Sequence, residues 1–503
     1  MTRERIRTRL PAVALALLVA VPAAGQDLAA FEQRLTEHRL DNGLTFLIYE
    51  RPGAPVASFF TYVDVGSAQE VPGITGLAHM FEHMAFKGTT RIGTKDYAAE
   101  AEAISRVDEA WAAYDAERRR KNADPERVAE LEAAWKEARE KAKELVAKDE
   151  FSEIIDRAGG VGLNATTSAD RTAYFYSLPA NKVELWAHLE SERFLDPVLR
   201  EFYTERDVVM EERRMRTDSQ PVGRMVEQLL AAAFTAHPYG QPTIGYMSDL
   251  QSFSREDAEA FYEKYYVPSN MIIAIVGAVD AEELIPLLTR YFGRLPAGPP
   301  PPPLRTVEPE QIAERIVRIP DPSQPVYAEG YLRPDVTHPD DAVYDAIADV
   351  LSTGRTSRLY RSLVRDRKIA ASTGAFSGFP GNKYANLMLA FAFPAPGHSN
   401  EEVQAAIQEE IDRLRDEPIS AEELEMVKTR ARAGLVRSLA SNTGIAGQLA
   451  GFQALYGDWR ELFRSVDRIQ RVTAEDIQRV ARETFVPTNR TVAMIVNEPG
   501  EGS

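Results

Sequence analysis

Two histidines and a glutamate fall within five residues of GLAHMFEHMAFKGT, as His79, Glu82 and His83. Residues four apart on a helix project from one face, so both imidazoles can reach a single ion. Glu82 lies on that face too, where a carboxylate can take a proton from water and pass it to a leaving amine. The chain has seven histidines, and an isolated one is usually structural or surface-exposed. The order His-x-x-Glu-His on an apolar helix is far more specific, being the inverted relative of the zincin motif. There is no cysteine, so disulfides and thiolate sites are excluded, and any metal must be held by histidine and carboxylate.

Zinc held by three protein ligands keeps a position for water, so a third donor must come from elsewhere. Residues 199–216, LREFYTERDVVMEERRMR, read as a helix carrying Glu201, Glu205, Glu211 and Glu212. Glu205 and Glu212 are about two turns apart and share a face, whereas Glu211 is rotated about 100° from Glu212. Spacing alone does not choose the ligand. The last part of the chain offers only His338 and His398, with no paired glutamate, so no second metal site is expected there.

These residues sit in a chain of 503, longer than one hydrophobic core usually serves. A formal net charge of -17 gives no sign of an electrostatic nucleic-acid binder. The clearest architectural signal is an internal repeat. SREDAEAFYEKYYVPSNMIIAIVG begins at Ser254 and TAEDIQRVARETFVPTNRTVAMIV at Thr473, a gapless offset of 473 − 254 = 219. Each copy reads as a capped amphipathic helix, Val-Pro, and a buried strand. Strand-like runs alternating with long helices predict an α+β fold of two homologous sandwich domains, at 26–296 and 313–503. Between them the proline run at residues 299–303 predicts a stiff linker over 297–312. Residues 98–148 are rich in Ala, Glu, Lys and Arg and broken at Asp124-Pro125. They predict a charged helical hairpin, read as a solvated insertion that buries its apolar stripe within itself.

At the N-terminus Arg3, Arg5, Arg7 and Arg9 precede an apolar run at residues 13–21 and the small residues Ala23, Ala24 and Gly25. This is the order of a secretory signal peptide over residues 1–25, with an uncleaved anchor as the alternative. It predicts an exported, periplasmic protein with no stable membrane span after cleavage.

HMFEHMAFKGT, LNATTSADRTAYFYSLP and ERDVVMEE together resemble the pitrilysin/insulinase-type zinc metallopeptidases, most closely their mitochondrial-processing-peptidase-like branch. The resemblance spans nearly the whole mature chain. It implies one zinc ion per chain on His79, His83 and Glu212, with Glu82 as general base to a zinc-bound water. Glu205 becomes a supporting carboxylate that orients a ligand. The resemblance also implies that an extended peptide or unfolded segment pairs with the strand around Asn164 and Ala165, and that Arg365 helps enclose the substrate. The tyrosine that often follows such an arginine is missing, since Ala371 and Ser372 stand there. The 129 residues between His83 and Glu212 exceed the family's usual interval, and the hairpin accounts for the excess. His237, in HPYG, is read as capping or packing a turn. With two domains, the chain is expected to act as half of a larger chamber, as a homo-oligomer or with a related subunit. The alternative is a non-catalytic peptide-binding or assembly subunit of the same fold.

Overall fold

The computed structural model describes residues 28–497; the signal-peptide expectation at residues 1–25 lies outside them. The strands are β1 (Leu35–Arg39), β2 (Thr45–Glu50), β3 (Val56–Val63), β4 (Val161–Thr167), β5 (Thr172–Pro179), β6 (Met271–Gly277), β7 (Arg315–Pro320), β8 (Val326–Arg333), β9 (Ala370–Phe379), β10 (Asn386–Pro394) and β11 (Arg490–Val496). They form two mixed sheets, ordered β1-β2-β6-β3-β5-β4 and β7-β11-β8-β10-β9. Without β1 the orders coincide strand for strand, and in each sheet one parallel pair, β2 with β6 and β7 with β11, joins antiparallel neighbours. The fold is therefore α+β with duplicated domains.

The duplication keeps its register to the residue. Helix Arg255–Tyr265 and β6 recur 219 positions on as helix Ala474–Thr484 and β11. Ser254 with Asp257, and Thr473 with Asp476, form capping boxes that satisfy the free amides at each helix start. The asparagine of each Val-Pro-Ser/Thr-Asn bridges helix end to sheet. Asn270 donates to the carbonyls of Tyr265 and Asp64, and Asn489 to those of Thr484 and Leu332.

Alternation along the strands gives each sheet two apolar faces. Phe46, Ile48 and Phe59 pack against helices of their own half, while Leu47, Tyr49 and Phe60 face the other way. That second face is covered by helix Asn442–Tyr456, which brings Ile445, Ala446 and Leu449 from the far end of the chain. Reciprocally, Met225 and Leu229 of helix Pro221–Ala233 cover Val326, Ala328 and Ala493 on the second sheet. The two sequence halves thus lend each other a helix. Residues 297–312 contain neither helix nor strand, and they are tied down: the Glu308 carboxylate accepts the amides of Thr235, Ala236 and His237.

The hairpin forms at the expected place, as helices Tyr97–Arg118 and Pro125–Lys143, with Asp124 capping the second and Pro125 in its first turn. It is not a self-contained solvated insertion, which corrects the sequence expectation. Trp111 and Trp135 pack with Tyr203 in the core, and the Arg206 guanidinium lies 4.0 Å from the Trp111 ring centroid. Glu100 and Arg200 form a fully buried ion pair at 2.8 Å. The apolar stripe has a partner outside the hairpin, namely the helix that carries Glu205 and Glu212.

Candidate metal centre and cleft

Helix Leu77–Met84 places the motif. It starts at Gly76, whose φ of 97° is left-handed and whose position has no room for a side chain, since a Cβ would lie 2.8 Å from the Ile244 carbonyl. The buried Glu70 carboxylate caps this start, accepting the amides of Gly76 and Ala78 at 2.7 Å each. Leu77, Ala78, Met80, Phe81 and Met84 are buried in the core. That leaves His79, Glu82 and His83 for the opposite side.

The second carrier is helix Phe202–Arg213, shorter than the sequence expectation because Glu201 enters it with φ 57°. Its last turn widens over residues Arg214–Asp218. Glu212 Oε2 stands 3.8 Å from His79 Nε2 and 3.3 Å from His83 Nε2. One ligand atom from each of His79, His83 and Glu212 lies within 4.8 Å of the others, the one such group of three among the described residues. Two imidazole nitrogens and one carboxylate oxygen converging this way fit a catalytic zinc ion with three protein ligands. Burial, aided by the neighbouring His83, lowers the His79 pKa to about 4, so the ring is neutral at pH 7 and its nitrogen is free to ligate.

A shell of polar groups surrounds the three. Glu205 Oε2 faces His83 Nδ1 at 3.6 Å, and Glu205 Oε1 takes Lys87 Nζ at 2.6 Å. The Glu205 carboxylate beside its Nδ1 raises the His83 pKa against the effect of burial. Burial opposes ionisation of Glu205, yet contacts with His83 and Lys87 still hold its carboxyl below the usual range. Burial raises the Glu82 pKa, and the neighbouring hydroxyl and amide of Thr167 on β4 counter this in part. Arg216 pairs with Glu212 Oε1 at 2.5 Å. His79, Glu82, Thr166, Thr167, Glu212 and Arg216 line one open cleft of about 320 Å³.

Lys87, Thr167 and Arg216 were not singled out in the sequence. Lys87 had a readable signal, one turn beyond His83 in the same motif. Arg216 had one too, four residues after Glu212 on the same helix, whereas Thr167 reaches the cleft only through chain folding. Glu211 points away, exposed and paired with Arg214. Asn164 is exposed and Ala165 buried on β4, which among the described residues ends its sheet and pairs only with β5. Arg365 is exposed in an ion pair with Asp366, so the structure does not bring it to the His79 cluster through that contact. Ala371 and Ser372 are exposed on β9. His237 caps a turn, its Nδ1 accepting the Tyr239 amide at 3.1 Å.

Comparison with known proteins follows the same division. The family model described as Insulinase (Peptidase family M16) matches residues 45–117 and 138–246, and that of the Peptidase M16 inactive domain matches residues 252–431. The gap at residues 118–137 falls inside the hairpin. Zinc protease PqqE of Helicobacter pylori is 28% identical over 443 residues, covering 86% of this chain and 85% of that protein. The probable mitochondrial-processing peptidase subunit beta of Schizosaccharomyces pombe is 28% identical over 473 residues, covering 88% and 87%. A crystal structure of a protease from Helicobacter pylori superposes with a TM-score of 0.77 at 26% identity, covering 92% of this chain and 99% of that one.

Proposed function

The chain belongs to the insulinase (M16) peptidase family, and on that premise we propose that it is a zinc-dependent endopeptidase acting on peptides or unfolded segments. The observation that carries the proposal is the convergence of His79, His83 and Glu212 beside Glu82 in one open cleft.

In this reading His79 and His83 hold the ion through neutral imidazoles, and Glu212 supplies the third donor. When bound, zinc supplies a Lewis acid that polarises a peptide carbonyl and acidifies water. Glu82 takes the proton from the attacking water and delivers it to the leaving nitrogen. Its burial-raised pKa suits a base that must also act as an acid. Glu205 fixes the His83 ring, with Lys87 holding Glu205 in turn. An extended substrate adds to the free edge of β4, so that Asn164 and Ala165 contact it by backbone pairing. A role for Arg365 in enclosing substrate rests on the family resemblance alone.

The cleft is open, so substrate enclosure calls for a second copy of this chain or a related subunit; the word subunit in the name of the Schizosaccharomyces pombe relative supports this. Export to the periplasm rests on the signal-like N-terminus. Among the described residues no helix is long and apolar enough to cross a membrane.

A peptide-library digest with purified protein tests the proposal. Cleavage that stops on chelation and returns with zinc is expected. No cleavage by zinc-loaded protein, alone or self-associated, favours the assembly-subunit alternative.

A further inference from the structure

Among the described residues the second half adds nothing to the group of His79, His83 and Glu212, yet one of its loops reaches the turn beside the cleft. Asp170 lies in the β4–β5 turn, three residues beyond Thr167, and is 6% exposed. Its Oδ2 accepts the amides of Asn382 and Lys383 at 2.7 and 3.2 Å. Its Oδ1 accepts the hydroxyl of Tyr239, which in turn accepts the Tyr384 amide at 3.3 Å. Between them the chain passes through Gly381, where a Cβ would stand 2.5 Å from both Asp170 Oδ2 and the Tyr239 hydroxyl. Only glycine lets the loop approach this closely. Lys383 Nζ adds a 2.5 Å ion pair to Asp64 beyond the end of β3.

We propose that Asp170 is a positioning residue through which the metal-free half holds β4, and through Thr167 holds Glu82, in place over the cleft. A buried carboxylate with its oxygens occupied by the loop and by Tyr239 is costly to leave unpaired, so turn and loop are held as one unit. The Thr167 hydroxyl donates at 3.5 Å to the carbonyl of Ala78, on the helix that carries Glu82, and Thr167 lines the cleft beside Glu82, so a shift of the turn reaches the base. This explains what the second half does for a reaction whose ligands all lie in the first. The inference rests on the peptidase reading.

The full-length protein carrying Gly381→Ala, Asp170→Ala or Asp170→Asn tests it. Zinc content should equal wild type in all three, because none of these residues is a ligand. Amide exchange across residues 161–170 should accelerate about tenfold or more in Gly381→Ala and Asp170→Ala. In the same variants kcat should fall by about ten- to a hundredfold, the cost of a small misplacement at a reacting centre, with a smaller change in KM. Asp170→Asn, which keeps one acceptor, should fall between these and wild type. Zinc-loaded variants with wild-type exchange and wild-type kcat would overturn the role. If the wild-type protein itself cleaves nothing, the peptidase reading fails, while the exchange measurement still decides whether Asp170 holds β4.

Discussion

The two halves share a strand order, a parallel pair, a capped helix and a loaned helix, and they differ in what their helices carry. Between β3 and β4 the first half has helix Leu77–Met84 with His79, Glu82 and His83; between β8 and β9 the second has Asp341–Ser352, with Ala342, Val343, Tyr344, Ala346 and Ile347 buried. Helix Phe202–Arg213 is matched at the same offset by Ala421–Ser438. There Leu424 and Ala431 take the places of Glu205 and Glu212, since 424 − 205 and 431 − 212 both equal 219. These two replacements, and a helix without histidine where the first half has His79 and His83, separate a half in which three candidate ligands converge from one in which, among the described residues, no such group forms. Scaffold and chemistry vary independently, as expected where function is grafted on a fold.

Making the first half resemble the second should have the largest effect. Glu212→Gln removes the charge that Ala431 lacks, and we expect metal retention to fall beyond the roughly 10–100-fold cost of losing an outer-shell partner. Glu205→Gln should show that smaller cost. Titration with a competing chelator measures both, and equal affinities would mean that Glu212 is no ligand.

Next comes the feature that only the first half possesses. Trp135→Ala should destabilise by about 3–5 kcal/mol, with weakened zinc retention, because Trp135 supports the helix bearing Glu212. Denaturant unfolding with and without zinc reads this. A change within surface-site scatter would return the hairpin to a detached insertion.

The exchanged helices offer a symmetric test. Leu229 and Leu449 are each fully buried on the sheet of the opposite half, so Leu229→Ala and Leu449→Ala should each cost about 2–5 kcal/mol. Both should lower a single shared thermal transition. Two transitions, each sensitive to one variant, would show halves that fold separately. The smallest effect belongs to Glu211→Gln, exposed beside Glu212, which should stay within about 0.5 kcal/mol of wild type.

Local patterns were the legible part of the sequence. The histidine pair, the helix caps and the hairpin with its break at Asp124-Pro125 all depend on residues within a few turns of one another, and the repeat is a match between two such local patterns 219 residues apart. Glu212 needed more than spacing, because Glu205 shares its face and only family resemblance separates their roles. The helix exchange left no local trace, since Leu449 is amphipathically reasonable against any apolar surface and its partner strands lie over 170 residues away. Trp111 and Trp135 did offer a hint that the hairpin docks, two large aromatics in a segment otherwise built for solvent. Asp170 reads as an ordinary turn residue until Gly381 and Asn382 are brought against it from the other half.

The central claim is that the first half alone holds the ion and that Glu82 moves the proton. Zinc content and turnover measured on one preparation of Glu82→Gln test it most directly. The account predicts zinc bound as in wild type with kcat reduced about 10²- to 10⁴-fold, because glutamine keeps the shape but accepts no proton. Zinc-loaded Glu82→Gln turning over near the wild-type rate would contradict it.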